Sequence, residues 1–268
     1  MLSHKKIIFS ILRIFLVLTF TLNPGTLVAM PSSQLLFEQA LQNSKDGFFE
    51  EALEGWNHFL ESAPEDPLGW SNRGNVRFAL GDFEGAIADQ TKSIEILSSE
   101  LIELDPYLNR GMAEEALSQW TEAKKDYDLI LQRDPENSSA LFNLGNLNVV
   151  QGNWLEAEAL FTKASLDRKG FPMARSSKAL MAYQLGNLES AESELRQIIL
   201  RYPMFADARA ALTALLWQKG LFGEAESHWA AVIGLDNRYK DGNWLLSERH
   251  WPPTPINDLV AFLALERP

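Results

Sequence analysis

No cysteine occurs anywhere in the chain, which removes disulfides, thiolate metal sites and cysteine nucleophiles. Histidine is almost as scarce: only His4, His58, His228 and His250 are present, and no two stand at metal-ligand spacing. The patterns H-E-x-x-H, G-x-S-x-G and the phosphate-cradling G-x-x-x-x-G-K are all missing. The sequence therefore gives no expectation of a cofactor, a bound metal or a catalytic residue. Low-complexity tracts are absent too, and 268 residues with 46% hydrophobic content can bury a sizeable core.

Positive charge is also in deficit. The net charge is -12, and residues 1–29 carry Lys5, Lys6 and Arg13 without a single acid, so the remainder stands at -15. Such a body repels nucleic acid and anionic headgroups, which are both bound by neutralising phosphate with Lys and Arg. It suits a neutral or basic partner, or simply a solvated acidic surface.

Only one segment is apolar enough to involve a membrane. Lys5 and Lys6 precede an apolar run over residues 7–22, interrupted by Arg13, before Asn23, Pro24 and Gly25 break it. With Leu27-Val28-Ala29 as the exit, residues 1–29 read as a secretory signal. The uninterrupted stretch 14–22 is too short to span a bilayer. An uncleaved anchor is the alternative, and no membrane span is expected in the mature chain.

What the sequence has in abundance is a repeat. Ala52, Ala86, Ala123, Ala157, Ala191 and Ala225 recur at intervals of 34 residues, with a single interval of 37. Five residues before each alanine stands Gly47, Gly81, Ser118, Gly152, Gly186 or Gly220. Twelve before comes a second small residue: Ala40, Gly74, Gly111, Gly145, Ala179 or Thr213. Three before comes a large apolar one: Phe49, Phe83, Trp120, Trp154, Leu188 or Phe222. Pro64, Pro135 and Pro203 close three of the six units.

The small pair lets two antiparallel helices approach closely. The middle glycine supplies the positive φ that ends the first helix, and an Asp or Asn after it (Asp82, Asn153, Asn187) suits the turn. The prolines end the second helix because they cannot continue its ladder.

These marks resemble the tetratricopeptide repeat family, most plainly over residues 141–164, "LFNLGNLNVVQGNWLEAEALFTKA". The resemblance covers about residues 33–237. It implies an all-α, right-handed superhelical solenoid of six helix pairs, at about 33–66, 67–103, 104–137, 138–171, 172–205 and 206–237. A capping segment would follow over 238–268. The 37-residue interval falls at "SSELIEL", residues 98–104, where three extra residues form either a flex point or a tolerated loop insertion.

Just before each first-helix small residue stand Gln39, Arg73, Arg110, Leu144, Lys178 and Leu212. Sixteen residues later come Gly55, Asp89, Asp126, Leu160, Glu194 and His228. Opposite charges coincide three times, which predicts ion pairs Arg73–Asp89, Arg110–Asp126 and Lys178–Glu194 fixing helix register.

By the same resemblance, the first helix of each repeat lines a concave groove that receives a protein or an extended peptide. The residues projected there are Leu41, Asn75, Phe78, Met112, Phe142, Asn146, Tyr183 and Trp217. Asn side chains can hold a peptide backbone, while aromatics supply anchoring area. A subclass of the family grips a C-terminal carboxylate with basic residues, but the matching places here hold Leu68, Asp105 and Ser139, so that clamp is missing.

The period ends after Asn237. A helix is expected over residues 241–249, then an extended turn at Pro252, Pro253 and Pro255. A short helix with Thr254 as N-cap and Ile256, Leu259, Val260 and Leu263 on one face should follow. It is read as a cap over the last hydrophobic face of the stack, with Trp244 and Trp251 packed beneath. A proline-rich ligand motif is the alternative.

"RHWPPTP" with the helix after it resembles tetratricopeptide proteins of the chloroplast thylakoid lumen and their cyanobacterial relatives. That resemblance implies a thylakoid-lumenal or periplasmic place, near photosynthetic membrane complexes. The expected role is an exported, non-catalytic scaffold. The competing one is an enzyme or small-ligand binder with a pocket around His228, Trp229, His250 and Trp251. Oligomeric state is left open.

Overall fold

The computed structural model describes residues 32–97, 103–166 and 170–265, and every regular element among them is helical. The signal reading, residues 1–29, and most of the insertion at 98–104 lie outside the described residues. Helix pairs follow one another as α1 (Ser32–Asp46) with α2 (Phe49–Ser62), α3 (Pro67–Leu80) with α4 (Phe83–Ile96), and α5 (Asp105–Ala116) with α6 (Trp120–Arg133). Then come α7 (Ser138–Val150) with α8 (Trp154–Ala164), α9 (Pro172–Gln184) with α10 (Leu188–Arg201), and α11 (Ala206–Gln218) with α12 (Phe222–Leu235). A 3-10 turn (Asn237–Lys240), α13 (Gly242–Ser247) and α14 (Pro253–Leu265) complete the chain. The helices form two compact units, one up to Asp126 and one from Tyr127.

Local chemistry sets the helix ends. α2, α6 and α10 each stop two residues short of Pro64, Pro135 or Pro203, because a proline disfavours helical backbone in the residue before it. Between the helices of a pair, Gly47, Gly81, Gly152, Gly186 and Gly220 all take positive φ. Ser118 adopts the same left-handed turn at φ 59°, a conformation that costs a side chain about 1–2 kcal/mol. Asp82 caps α4 by accepting the Gly85 N–H at 2.9 Å, whereas Asn153 and Asn187 make no side-chain cap bond.

The first unit is built on Trp56, fully buried with Ala40, Ala52, Phe59 and Val76 around it. Phe37 meets the Trp56 ring edge-on at 5.0 Å, and the indole N–H donates to Ser44 Oγ at 3.0 Å. Two of the three expected ion pairs stand here. Arg73 donates to both carboxylate oxygens of Asp89, at 2.8 and 2.7 Å, and Arg110 to both of Asp126, at 2.8 Å each. Each guanidinium also reaches back to the preceding repeat, Arg73 to Asn57 Oδ1 at 2.9 Å and Arg110 to Thr91 Oγ1 at 3.1 Å. One cation therefore registers two successive helix pairs, which the pairwise reading missed.

A second arginine, Arg77, completes the first cluster at 3.1 Å from Asp89. Its counterpart in the next repeat is Glu114, three residues after Gly111 as Arg77 is after Gly74. A carboxyl thus faces Asp126 where the previous repeat has a guanidinium. Glu114 is 7% exposed and its Oε2 is buried without a partner among the described residues. Burial, then the nearby Asp126 charge, push its pKa up to about 7, with Glu122 adding and Arg110 and Lys125 opposing. The folded state therefore holds this proton more tightly than the unfolded chain. The stabilisation is present below the ordinary glutamate range and is lost as pH rises through about 7. Glu114→Gln is expected to be more stable than the natural chain at pH 8 by about 1 kcal/mol and to flatten the fall between pH 5 and 8. Urea unfolding across that range measures it, and parallel pH profiles for the two chains would refute it.

In the second unit the core runs from Val149 to Phe262. α11, "ADARAALTALLWQ", is buried on nearly every face, because α9, α10, α12 and α14 all pack on it. The third expected pair does not form. Glu194 instead accepts from Arg175 Nε at 2.5 Å, one turn before Lys178. The extra methylene of Glu relative to Asp carries the carboxylate past Lys178 to the next ridge position.

The tail also departs from expectation. α14 begins at Pro253, so Thr254 lies inside its first turn and is not the cap. The Thr254 N–H donates to Gln184 Oε1 at 2.8 Å. Leu259 and Phe262 are buried while Val260 is 46% exposed, so Phe262 takes the place expected of Val260 on the buried face. α14 lies on α11 and α9, the first helices of repeats five and six, and does not extend the stack beyond α12.

Candidate partner-binding faces

First helices of neighbouring repeats pack on one another within each unit: α1 with α3, α3 with α5, and α9 with α11. By the resemblance to the repeat family these helices line the inner face of each unit, and the residues picked from sequence fall on first helices.

In the first unit no described helix outside the repeats packs on that face. Leu41, Asn75, Phe78 and Met112 are all half-buried. Leu41 and Asn75 share a cavity of about 20 Å³ with Ser44, Lys45, Phe49, Asn72 and Val76, room for about one water. Gln90 Nε2 donates to Asn75 Oδ1 at 2.9 Å and to the Ser71 carbonyl at 3.0 Å. With its oxygen occupied, Asn75 presents its amide N–H groups as donors to an incoming carbonyl. Phe78 stands edge-on to Phe83 at 5.3 Å, which fixes an aromatic surface one turn along the same helix.

In the second unit the picture differs residue by residue. Phe142 lies against Phe161 at 5.5 Å and Phe171 at 5.1 Å, half-buried within a local cluster. Asn146 is 8% exposed, so it is a core-edge residue and not the open groove amide expected. Tyr183 is buried, and its hydroxyl donates to Asp258 of α14 at 2.7 Å. Burial and that hydrogen bond raise its pKa, so the phenol stays neutral. Trp217 packs on Phe222 at 4.7 Å and on Phe262 of α14 at 5.8 Å. Thus both groove candidates from repeats five and six are covered by the chain's own last helix.

The tail is anchored by a residue that sequence reading passed over. Asp207, in the first turn of α11, is 2% exposed. Its Oδ2 accepts from Ser176 Oγ at 2.5 Å. Its Oδ1 accepts from Tyr239 OH at 3.0 Å, Arg249 Nη2 at 2.8 Å and Trp251 Nε1 at 3.1 Å. Burial alone would raise the carboxyl's pKa. The Arg249 charge and the bonds from Ser176, Arg249 and Trp251 outweigh it and hold the group ionised. The sequence signal was the Arg249–Trp251 pair of "RHWPPTP", two donors with no visible acceptor.

The expected pocket around His228, Trp229, His250 and Trp251 is filled. Trp229 and Trp251 are core side chains, and Trp251 is spent on Asp207. His228 turns toward Arg209, 3.4 Å away, and Glu224. Burial, then the Arg249 charge, lower the His250 pKa to about 4, so it is neutral at physiological pH. Among the described residues no group of three or more His, Asp or Glu could hold a metal ion. No described helix is long and apolar enough to cross a membrane.

A sequence profile described as "Tetratricopeptide repeat" matches residues 37–98, 108–170 and 177–238. RNA polymerase II-associated protein 3 of Rattus norvegicus is 27% identical over 196 residues, covering 70% of this chain and 29% of that protein. The chain thus spans less than a third of that relative. The Cut9–Hcn1 hetero-tetramer of the APC/C contains a chain matching 86% of this one, at TM-score 0.68 and 16% identity over 42% of its own length. A tetratricopeptide repeat protein from Parabacteroides merdae ATCC 43184 matches 87% of this chain and 98% of its own, at TM-score 0.63 and 19% identity.

Proposed function

Because the chain belongs to the tetratricopeptide repeat family, we propose that it is a non-catalytic scaffold that holds a protein or peptide on the inner face of its first unit. The observation that carries this reading is the half-buried row Leu41, Asn75, Phe78 and Met112, where an oriented amide stands between apolar anchors. It gains support from relatives whose own names record assembly with other proteins, RNA polymerase II-associated protein 3 and Cut9 with Hcn1. The net charge of -15 after residue 29 favours neutral or basic partners over nucleic acid.

The leader features of residues 1–29 support export to a periplasm or thylakoid lumen. The likeness carried by "RHWPPTP" supports work on the assembly or maintenance of photosynthetic membrane complexes. Affinity capture from the native source tests the scaffold. A partner retained by the natural chain should be lost at least about tenfold with Asn75→Ala/Phe78→Ala, as expected when anchors worth over 1 kcal/mol are removed. Equal retention by both chains would overturn the reading. The mass of the recovered chain tests export, with cleavage after Ala29 as the expected result.

A further inference from the structure

The two units use chemically similar inner faces differently. Among the described residues only the repeats themselves line the first, whereas the second is covered by α14. That helix sits on the positions by which the resemblance identifies partner contacts, Tyr183 and Trp217. It binds as a ligand helix would: Leu259 and Phe262 are buried, Asp258 answers the Tyr183 hydroxyl, and Gln184 takes the free Thr254 N–H of the first turn. Those first-turn N–H groups have no partner inside a helix, so Gln184 acts as a receptor group for a helix start.

The anchor and the helix are separable. Tyr239, Arg249 and Trp251, which hold Asp207, all precede Pro252, while Thr254, Asp258, Leu259 and Phe262 follow it.

We propose that α14 is a displaceable ligand held in cis, and that the inner face of repeats five and six is a groove for an amphipathic helix. The partner that fits it carries an acid at the place of Asp258 and large apolar residues at the places of Leu259 and Phe262. A tethered helix competes at an effective concentration in the millimolar range, so the groove is closed to weak partners by default.

The probe is a fluorescein-labelled peptide of residues 252–265, titrated by anisotropy into two full chains, natural and Leu259→Ala/Phe262→Ala. The variant is expected to bind the peptide at least about tenfold more tightly than the natural chain, since its own helix no longer competes. Asp258→Ala in the peptide should weaken that binding, and Asn75→Ala in the chain should not, which separates this groove from the face of the first unit. Equal binding to both chains, or none to the variant, overturns the proposal. So does loss of amide protection across α9–α12 in the variant, which would show that repeats five and six do not stay folded once α14 is released.

Discussion

Asp207→Asn is expected to destabilise the second unit by about 3–5 kcal/mol, the range for removing one partner of a buried ion pair. Size is conserved, so the loss comes from charge and hydrogen-bond geometry. Arg249, half-buried, keeps its charge but loses the buried carboxylate 2.8 Å away. Five donors, two from Arg249 and one each from Ser176, Tyr239 and Trp251, now compete for an amide that has one oxygen and two N–H groups of its own. At least one buried donor is left unpaired, which alone costs about 1–3 kcal/mol.

Ser176→Ala provides the scale, since it removes one hydrogen bond and should cost about 1 kcal/mol. Asp207→Leu with Arg249→Met should not recover the loss, because it leaves the buried donors of Ser176, Tyr239 and Trp251 without an acceptor. Urea unfolding with amide exchange read on α9 and α11 separates this unit from the first. A cost below about 1 kcal/mol for Asp207→Asn would show that the node does not hold the tail.

The helix pairs were legible because their causes are local. Small residues twelve apart, a left-handed turn residue and a large apolar residue three before each alanine fix where helices start, stop and touch. The near-complete burial of α11 was not read from the sequence, although its run of Ala and Leu carries that signal. A tail helix over the end of the stack was expected, but not its seat on α9 and α11. That seat depends on Ser176, Asp207 and Trp251 meeting across 31 and 44 residues of chain, and no short-range pattern encodes it.

Ion pairs show the same boundary. The 16-residue spacing found Arg73–Asp89 and Arg110–Asp126, though not the second arginine, Arg77, that Asp89 also takes. It failed at Glu194, whose longer side chain had a choice between two ridges and took Arg175. The start of α14 was misplaced for a related reason. Pro253 and Pro255 lack N–H groups, and first-turn positions need none, so the helix opened at the earliest proline and Gln184 took up Thr254.

Gly145→Ala tests the close approach that defines the repeat, and its sign is informative. In an unobstructed helix interior this change should stabilise by about 0.5–1 kcal/mol, since alanine has the higher helix propensity. At Gly145 a new Cβ would stand 2.5 Å from Phe161 Cε1 and 2.8 Å from Cδ1. The ring has no room to retreat: Phe161 is 1% exposed and lies against Phe142 at 5.5 Å, which is itself held by Phe171 at 5.1 Å. Overpacking of a closed core costs about 1–3 kcal/mol, so a net loss of about 2 kcal/mol is expected. Gly223→Ala in α12 is the internal control, because nothing lies within 4 Å of its added carbon and propensity alone should act. A second change, Phe161→Leu, should recover part of the Gly145→Ala loss, since the two sites share one contact and must be non-additive. If Gly145→Ala proves as stabilising as Gly223→Ala, the small residue is there for helix-turn chemistry and not for packing against Phe161.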